Sequence, residues 1–116
     1  MNNRKKGVLG EVDAVEYLKK IGYVILDRNY TTPLGEIDIV ARDGATIVFI
    51  EVKARLTDKY GRPIEAITPH KIKTIIKCAK MFLVRYRLYD RNVRFDVIEI
   101  MYDELNHVKN AFDGSG

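Results

Sequence analysis

The sequence predicts a single α/β domain with the element order α-β-β-β-α-β, a mixed central sheet flanked by helices. Three observations carry this expectation. Residues 3–21 and 69–89 each repeat apolar residues at the three- and four-residue spacing of a helix buried along one stripe. Four other segments are short and rich in β-branched residues, and Asp43-Gly44 stands between two of them as a hairpin signal. At 116 residues and 13.4 kDa the chain suits one core, and no repeat, low-complexity tract or linker interrupts it.

In the first helix Val8, Val12, Val15 and Leu18 make the apolar stripe, and Gly22 supplies the stop. Tyr23-Val24-Ile25-Leu26 reads as a short strand, followed by a polar segment from Asp27 to Pro33. Gly35 to Val40 and Thr46 to Lys53 are the second and third strands. Residues 57–67 are turn-rich, with Gly61 and Pro63. Thr68-Pro69 has the chemistry of an N-cap followed by proline at the first helical position. The second helix then places Ile72, Ile75, Ile76, Ala79, Leu83 and Tyr86 on one face and runs to about Tyr89. Val93 to Met101 reads as a strand; the polar tail from Asn106 keeps Val108 and Phe112 as remnants of one more short strand, and Gly114-Ser115-Gly116 is expected to be disordered.

Composition excludes several classes of function. Cys78 is the sole cysteine, so neither an internal disulfide nor a cysteine-cluster zinc site is available. It falls off the centre of the second helix's stripe and reads as a small packing residue. No apolar run approaches the ~20 residues of a membrane span, and the residues after Met1 do not form a signal-peptide core. These features lead us to expect a soluble, cytoplasmic protein without a membrane partner. His70 and His107 are too few and too scattered for a histidine metal site or a nucleophilic triad, and there is no glycine-rich phosphate loop. The net charge of +4 is unevenly placed: between Pro69 and Arg94 eight basic residues stand against Asp90 alone, so the remainder is net acidic. Such a run suits a polyanion, and it suits a solvated helix face as well.

The acids of the hairpin point to chemistry. A turn centred on Asp43-Gly44 sets Val40 opposite Ile47, Asp38 opposite Phe49 and Glu36 opposite Glu51. Strand alternation then turns Glu36, Asp38, Glu51 and Lys53 to one side, provided no bulge breaks the parity. Like charges across a strand pair repel unless a cation lies between them, and carboxylate oxygens are what a hard divalent ion prefers. Glu11 falls inside the apolar stripe of the first helix, where a charge is paired, functional or reaching for water. Glu36 and Lys53 also fit an ordinary cross-strand ion pair. Asp38 and Glu51 are harder to explain structurally, because each interrupts an apolar run that gains nothing from it.

With Asp38 followed after 13 residues by Glu51-Val52-Lys53, in this element order, the chain resembles the PD-(D/E)XK nuclease superfamily, whose restriction-endonuclease-like core is also αβββαβ. More narrowly, Gly10-Glu11, Gly35-Glu36-Ile37-Asp38, Glu51-Val52-Lys53, Arg55 and Lys71 resemble the YraN-like family of bacterial proteins, and archaeal Holliday junction resolvases share the arrangement. The likeness spans about residues 4–102; Ile37 stands where the superfamily motif has proline. It implies phosphodiester hydrolysis in nucleic acid, DNA first, with branched or flap structures as an analogy to the resolvases. Mg²⁺ or Mn²⁺ would be held by Asp38 and Glu51 with the Val52 carbonyl, and Glu11 would bind through water or complete a second site. Lys53 would orient or deprotonate the attacking water, and Glu36 would be a ligand or a partner of one. Arg55, Lys71, Lys73, Lys77, Arg85 and Arg87 would grip the backbone, with Lys71 also in reach of the site. Dimers are frequent among nucleases that cut two strands, so a homodimer is an open expectation. The rival readings are a nucleic-acid-binding domain that keeps the fold without cleaving, and a subunit active only with a partner.

Overall fold

A computed structural model describes residues 10–55 and 67–114 of the chain. The expected start of the first helix with Val8, the turn-rich residues 57–66 and Ser115-Gly116 lie outside the described residues. The elements are α1 (Glu11–Lys20), β1 (Val24–Thr32), β2 (Gly35–Asp43), β3 (Thr46–Arg55), α2 (Pro69–Arg85), β4 (Val93–Met101) and β5 (Glu104–Val108). They form one mixed sheet in the order β1-β2-β3-β4-β5. Neighbours are antiparallel except β3 and β4, which run parallel. A parallel pair needs a crossover, and α2 lies between these two strands in the chain. Among the described residues no helix is long and apolar enough to cross a membrane.

The two helices cover opposite faces. Ile37, Val40, Ile47, Phe49 and Phe95 pack with Ile75, Ile76, Cys78, Ala79 and Phe82 of α2. Ile39, Ala41, Val48, Ile50, Ile98 and Ile100 pack with Ala14, Val15 and Leu18 of α1. Central strands β3 and β4 are therefore buried on both sides, which is why apolar residues occupy both faces of each and the acids among them stand out. Gly35 permits close approach of α2: a Cβ there would stand 2.5 Å from Thr74 Cγ2.

Both helices end in Schellman turns. At α1 the Tyr23 N–H reaches Leu18 O and the Gly22 N–H reaches Lys19 O, with Gly22 at φ 94°, as the sequence predicts. At α2 the Leu88 N–H reaches Leu83 O and the Arg87 N–H reaches Val84 O, with Arg87 itself at φ 57°. This left-handed arginine stops α2 at Arg85 rather than near Tyr89. The N-cap is as expected, since Thr68 Oγ1 accepts from the Lys71 N–H at 3.1 Å.

Three further expectations are corrected. Val12 is 60% exposed, off the α1 stripe that Ala14, Val15 and Leu18 form. β1 extends through the polar segment to Thr32 because it is the sheet edge, where polar side chains can face water. The last strand begins at Glu104, directly after a tight turn at Tyr102-Asp103, and ends at Val108, so Val108 belongs to it as expected while Phe112 lies beyond it.

Candidate functional site

The hairpin between β2 and β3 pairs Asp43 with Thr46, Val40 with Phe49 and Ile39 with Ile50, so its loop is Gly44-Ala45. Every partner is thus displaced from the expected register, yet the displacement is even and the faces are kept. Carried past Ile39 and Ile50, this register sets Asp38 opposite Glu51 instead of Phe49. The two acids that interrupt the apolar runs are the two that meet.

At this point the strands part. Asp38 Oδ2 accepts the Val52 N–H at 2.8 Å, a side chain standing in for a ladder bond. Alternation along β2 also reverses here, because Ile37 packs on the α2 side with Val40 although the two are three residues apart. On β1, Asn29 is left-handed at φ 54° between Arg28, paired with Ile39, and Tyr30, paired with Ile37. Glu36 consequently turns toward the α1 side, away from Glu51 and Lys53, which corrects the one-sided arrangement expected of the four. It is exposed and accepts from the Thr31 hydroxyl at 3.4 Å.

Glu51 is the centre of the cluster. It is 5% exposed, and its Oε2 lies 3.4 Å from Lys71 Nζ and 3.8 Å from Lys53 Nζ. That oxygen is buried without a hydrogen-bond partner. Burial, then the hydrogen bond and charge of Asp38, push its carboxyl up to about 8 against the pull of Lys71 and Lys53. Glu11, at the first position of α1, reaches the cluster from the other face. Its Oε1 is 3.7 Å from Arg28 Nη2, and its carboxyl is raised by burial and then by the charge of Asp38. Asp38 therefore links a carboxylate on each side of the sheet. The N-terminal turns of both helices converge on it, α1 with Glu11 and α2 with Lys71.

The cations expected to bind nucleic acid divide into two groups. Lys71 joins the carboxylates, held by the capped first turn of α2. Lys73, Lys77, Arg85 and Arg87 are exposed, and Lys73 and Lys77, with Lys80, lie on the face of α2 opposite its buried stripe. The Arg55 side chain lies outside the described residues. Arg94, counted in the basic run, is half-buried and committed to acids of the sheet. It donates to both oxygens of Asp96 at 2.9 and 3.0 Å, to Asp43 at 3.0 Å and to the Tyr23 hydroxyl.

This last network was missed by sequence reasoning. Asp96 is fully buried and also contacts His107 Nε2 at 2.7 Å and the Asn110 N–H at 2.9 Å, while the Tyr17 hydroxyl lies 3.0 Å from His107 Nδ1. The available signal was an acid inside an apolar strand with an arginine two residues before it, on the same face.

Among the described residues, no group of three or more His, Cys, Asp or Glu side chains is placed to hold a metal ion. The cluster offers Asp38, Glu51 and backbone oxygens, with Glu11 farther off. Such a set suits Mg²⁺ or Mn²⁺ better than a fully protein-caged ion, because Mg²⁺ usually takes one or two carboxylates and fills its octahedron with water and phosphate oxygens. A buried carboxylate oxygen without a hydrogen-bond partner, beside a second acid, is the observation that fits a cation.

The model of the uncharacterised protein family UPF0102 matches residues 10–100. A UPF0102 protein of Persephonella marina is 46% identical over 108 residues, 93% of each chain. One from Caldicellulosiruptor saccharolyticus is 46% identical over 118 residues, 97% of this chain and 100% of the relative. One from Clostridium botulinum strain Hall is 45% identical over 117 residues, 95% of each.

Proposed function

The chain belongs to the UPF0102 family, and from its carboxylate and lysine cluster we propose that it is a metal-dependent nuclease of the PD-(D/E)XK superfamily, cutting phosphodiester bonds in nucleic acid, DNA first. The observation that carries the reading is the meeting of Asp38 and Glu51 where β2 and β3 part, with Lys53 and Lys71 both on Glu51. A structural role would be served better by apolar residues, since a buried acid facing a half-buried one is costly.

Asp38 and Glu51 are the residues that would hold Mg²⁺ or Mn²⁺, which supplies a Lewis acid for the phosphoryl oxygen and a more acidic water. Asp38 is fixed by the Val52 N–H, so its carboxylate is oriented before any ligand arrives. Lys53 and Lys71 bring positive charge to the position where a phosphate would sit and stabilise the charge that develops on its oxygens. Lys53 is also the residue to orient the attacking water. Glu11, restrained by Arg28 and sensed by Asp38, holds water or substrate from the α1 side. Glu36, exposed and turned away, is an outer partner at most.

The test incubates the protein with supercoiled, single-stranded and four-way-junction DNA in Mg²⁺ or Mn²⁺, beside Asp38→Ala, Glu51→Ala and Lys53→Ala. Cleavage that EDTA and each substitution abolish is the expected result. Salt-sensitive binding without cleavage, unchanged by the three substitutions, would instead make the chain a binding module.

A further inference from the structure

At the C-terminal end of α2, away from the carboxylates, an open cavity of about 500 Å³ is lined by Leu26, Asp27, Arg42, Ile47, Phe82, Tyr86, Leu88 and Arg91. Its walls are apolar and aromatic. Tyr86 packs its ring against Phe82, with centroids 4.6 Å apart, yet remains 47% exposed where Phe82 is buried. Arg85 lies over the Tyr86 ring at 5.4 Å from the centroid, so cation and aromatic surface are already joined. The rim carries donors and an acceptor together. Arg42 donates one N–H to Gly44 O at 2.9 Å and keeps others; Asp27 accepts the Arg28 N–H through Oδ1 at 2.8 Å and keeps its second oxygen. Arg91 stands exposed at the rim with Arg85 and Arg87 exposed beside it, and Tyr89 is 69% exposed in the same stretch.

We propose that this cavity seats one unpaired base of a nucleic-acid strand, with Arg85, Arg87 and Arg91 on the adjoining phosphates. The inference rests on the nuclease reading and extends it to substrate class, a strand with an unpaired segment. A purely apolar occupant would cover the remaining oxygen of Asp27 and the remaining N–H groups of the lining guanidiniums without supplying partners for them, which is costly. A base presents a flat face to Tyr86 and hydrogen-bonding edges to Asp27 and Arg42, and its backbone matches the surrounding charge. The spacing fits as well. From Glu51 to Ile47 along β3 is about 13 Å at ~3.3 Å per residue, and from Lys71 to Tyr86 along α2 is about 22 Å at ~1.5 Å per residue. At ~3.4 Å per stacked nucleotide, roughly four to seven steps separate the base seat from the carboxylates.

The test is fluorescence anisotropy in EDTA with labelled 12-nucleotide single strands, of DNA and of RNA, against the blunt duplex of the same sequence. Wild type should bind a single strand of at least one sugar more tightly than the duplex. Tyr86→Ala should weaken that binding about 5- to 140-fold, the range that losing one stacked base implies, and leave the duplex affinity unchanged. Tyr86→Phe should retain the preference, and Arg91→Ala should weaken single-strand binding and lower its salt slope by about one. Absence of any single-strand preference, or equal loss on both ligands in Tyr86→Ala, would overturn the proposal. Asp38→Ala should keep these affinities while losing cleavage. A wild type that never cleaves but shows the Tyr86 dependence would remove the nuclease reading and leave the base seat standing.

Discussion

Glu51 and Asp96 are buried acids inside apolar strands, and they do opposite things to stability. For Glu51 the folded state raises the carboxyl from 4.5 to about 8. Between those values the metal-free folded protein binds more protons than the unfolded chain, so stability falls as pH rises through the window. Melting scans in EDTA from pH 5 to 8 should show this decline. Glu51→Gln should flatten it and raise Tm at pH 8, and calorimetry should show Mn²⁺ uptake lost; a decline that survives the substitution would assign it to another group. Asp96 is the reverse case. Burial pushes its carboxyl up, but His107, Arg94 and the Asn110 N–H outweigh burial and leave it below its ordinary value. Its contribution is therefore present above about pH 4 and lost in acid. Asp96→Ala leaves a half-buried Arg94 with Asp43 as its remaining acid and empties the acceptor site of His107 and Asn110, and should cost about 3 kcal/mol in denaturant melts. The sequence marks both residues equally, as acids where apolar residues belong. What separates structure from chemistry is the neighbour, an arginine for Asp96 and a second acid for Glu51. Only for Asp96 does that neighbour stand two residues away in the chain; for Glu51 it arrives by strand pairing.

At the scale of elements, legibility followed the strength of the local signal. Gly22 announced the end of α1 because glycine adopts a positive φ without cost, whereas Arg87 does the same work at the end of α2 with no compositional mark. That difference is measurable: Arg87→Gly relieves a left-handed non-glycine residue and should stabilise the protein by about 1 kcal/mol, read as a Tm increase of a few degrees. Thr68→Ala removes the N-cap and should cost about 1 kcal/mol. Because that cap holds the Lys71 N–H, cleavage should slow beyond what the lost stability explains. Register was harder to read than element type. Asp43-Gly44 signals a hairpin without saying which two residues occupy the loop, and an even displacement keeps Glu51 and Lys53 on the α2 side. Glu36 escaped that protection, since the reversal of alternation at Asp38 and left-handed Asn29 depends on two strands distorting together.

Over the whole molecule the basic residues and the acidic cluster occupy different walls. Counting cations along residues 69–94 suggested one polyanion-facing surface, but the fold distributes them by helix angle. Lys71 turns to Glu51, Arg94 turns into the core, Arg85, Arg87 and Arg91 gather at the far end of α2, and Lys73, Lys77 and Lys80 face outward. Helical periodicity was available from the sequence, yet which angle faces the site was not, because that depends on where β3 and α2 meet. On the proposed nuclease reading, phosphate contacts far from Asp38 and Glu51 would contribute affinity and register without touching the residues proposed to hold the metal. Each contact releases about 0.9 counterions from duplex DNA, so three lysines acting together account for a slope of about 2.7 in log K against log salt. Lys73→Gln, Lys77→Gln and Lys80→Gln combined should reduce the salt slope of duplex binding by up to that amount. The same protein should keep its Mn²⁺ affinity and its Tm, since all three side chains are exposed. A salt slope unchanged by the triple substitution would mean that duplex runs along another wall, and an altered Mn²⁺ affinity would mean that the basic strip and the carboxylates form one site after all.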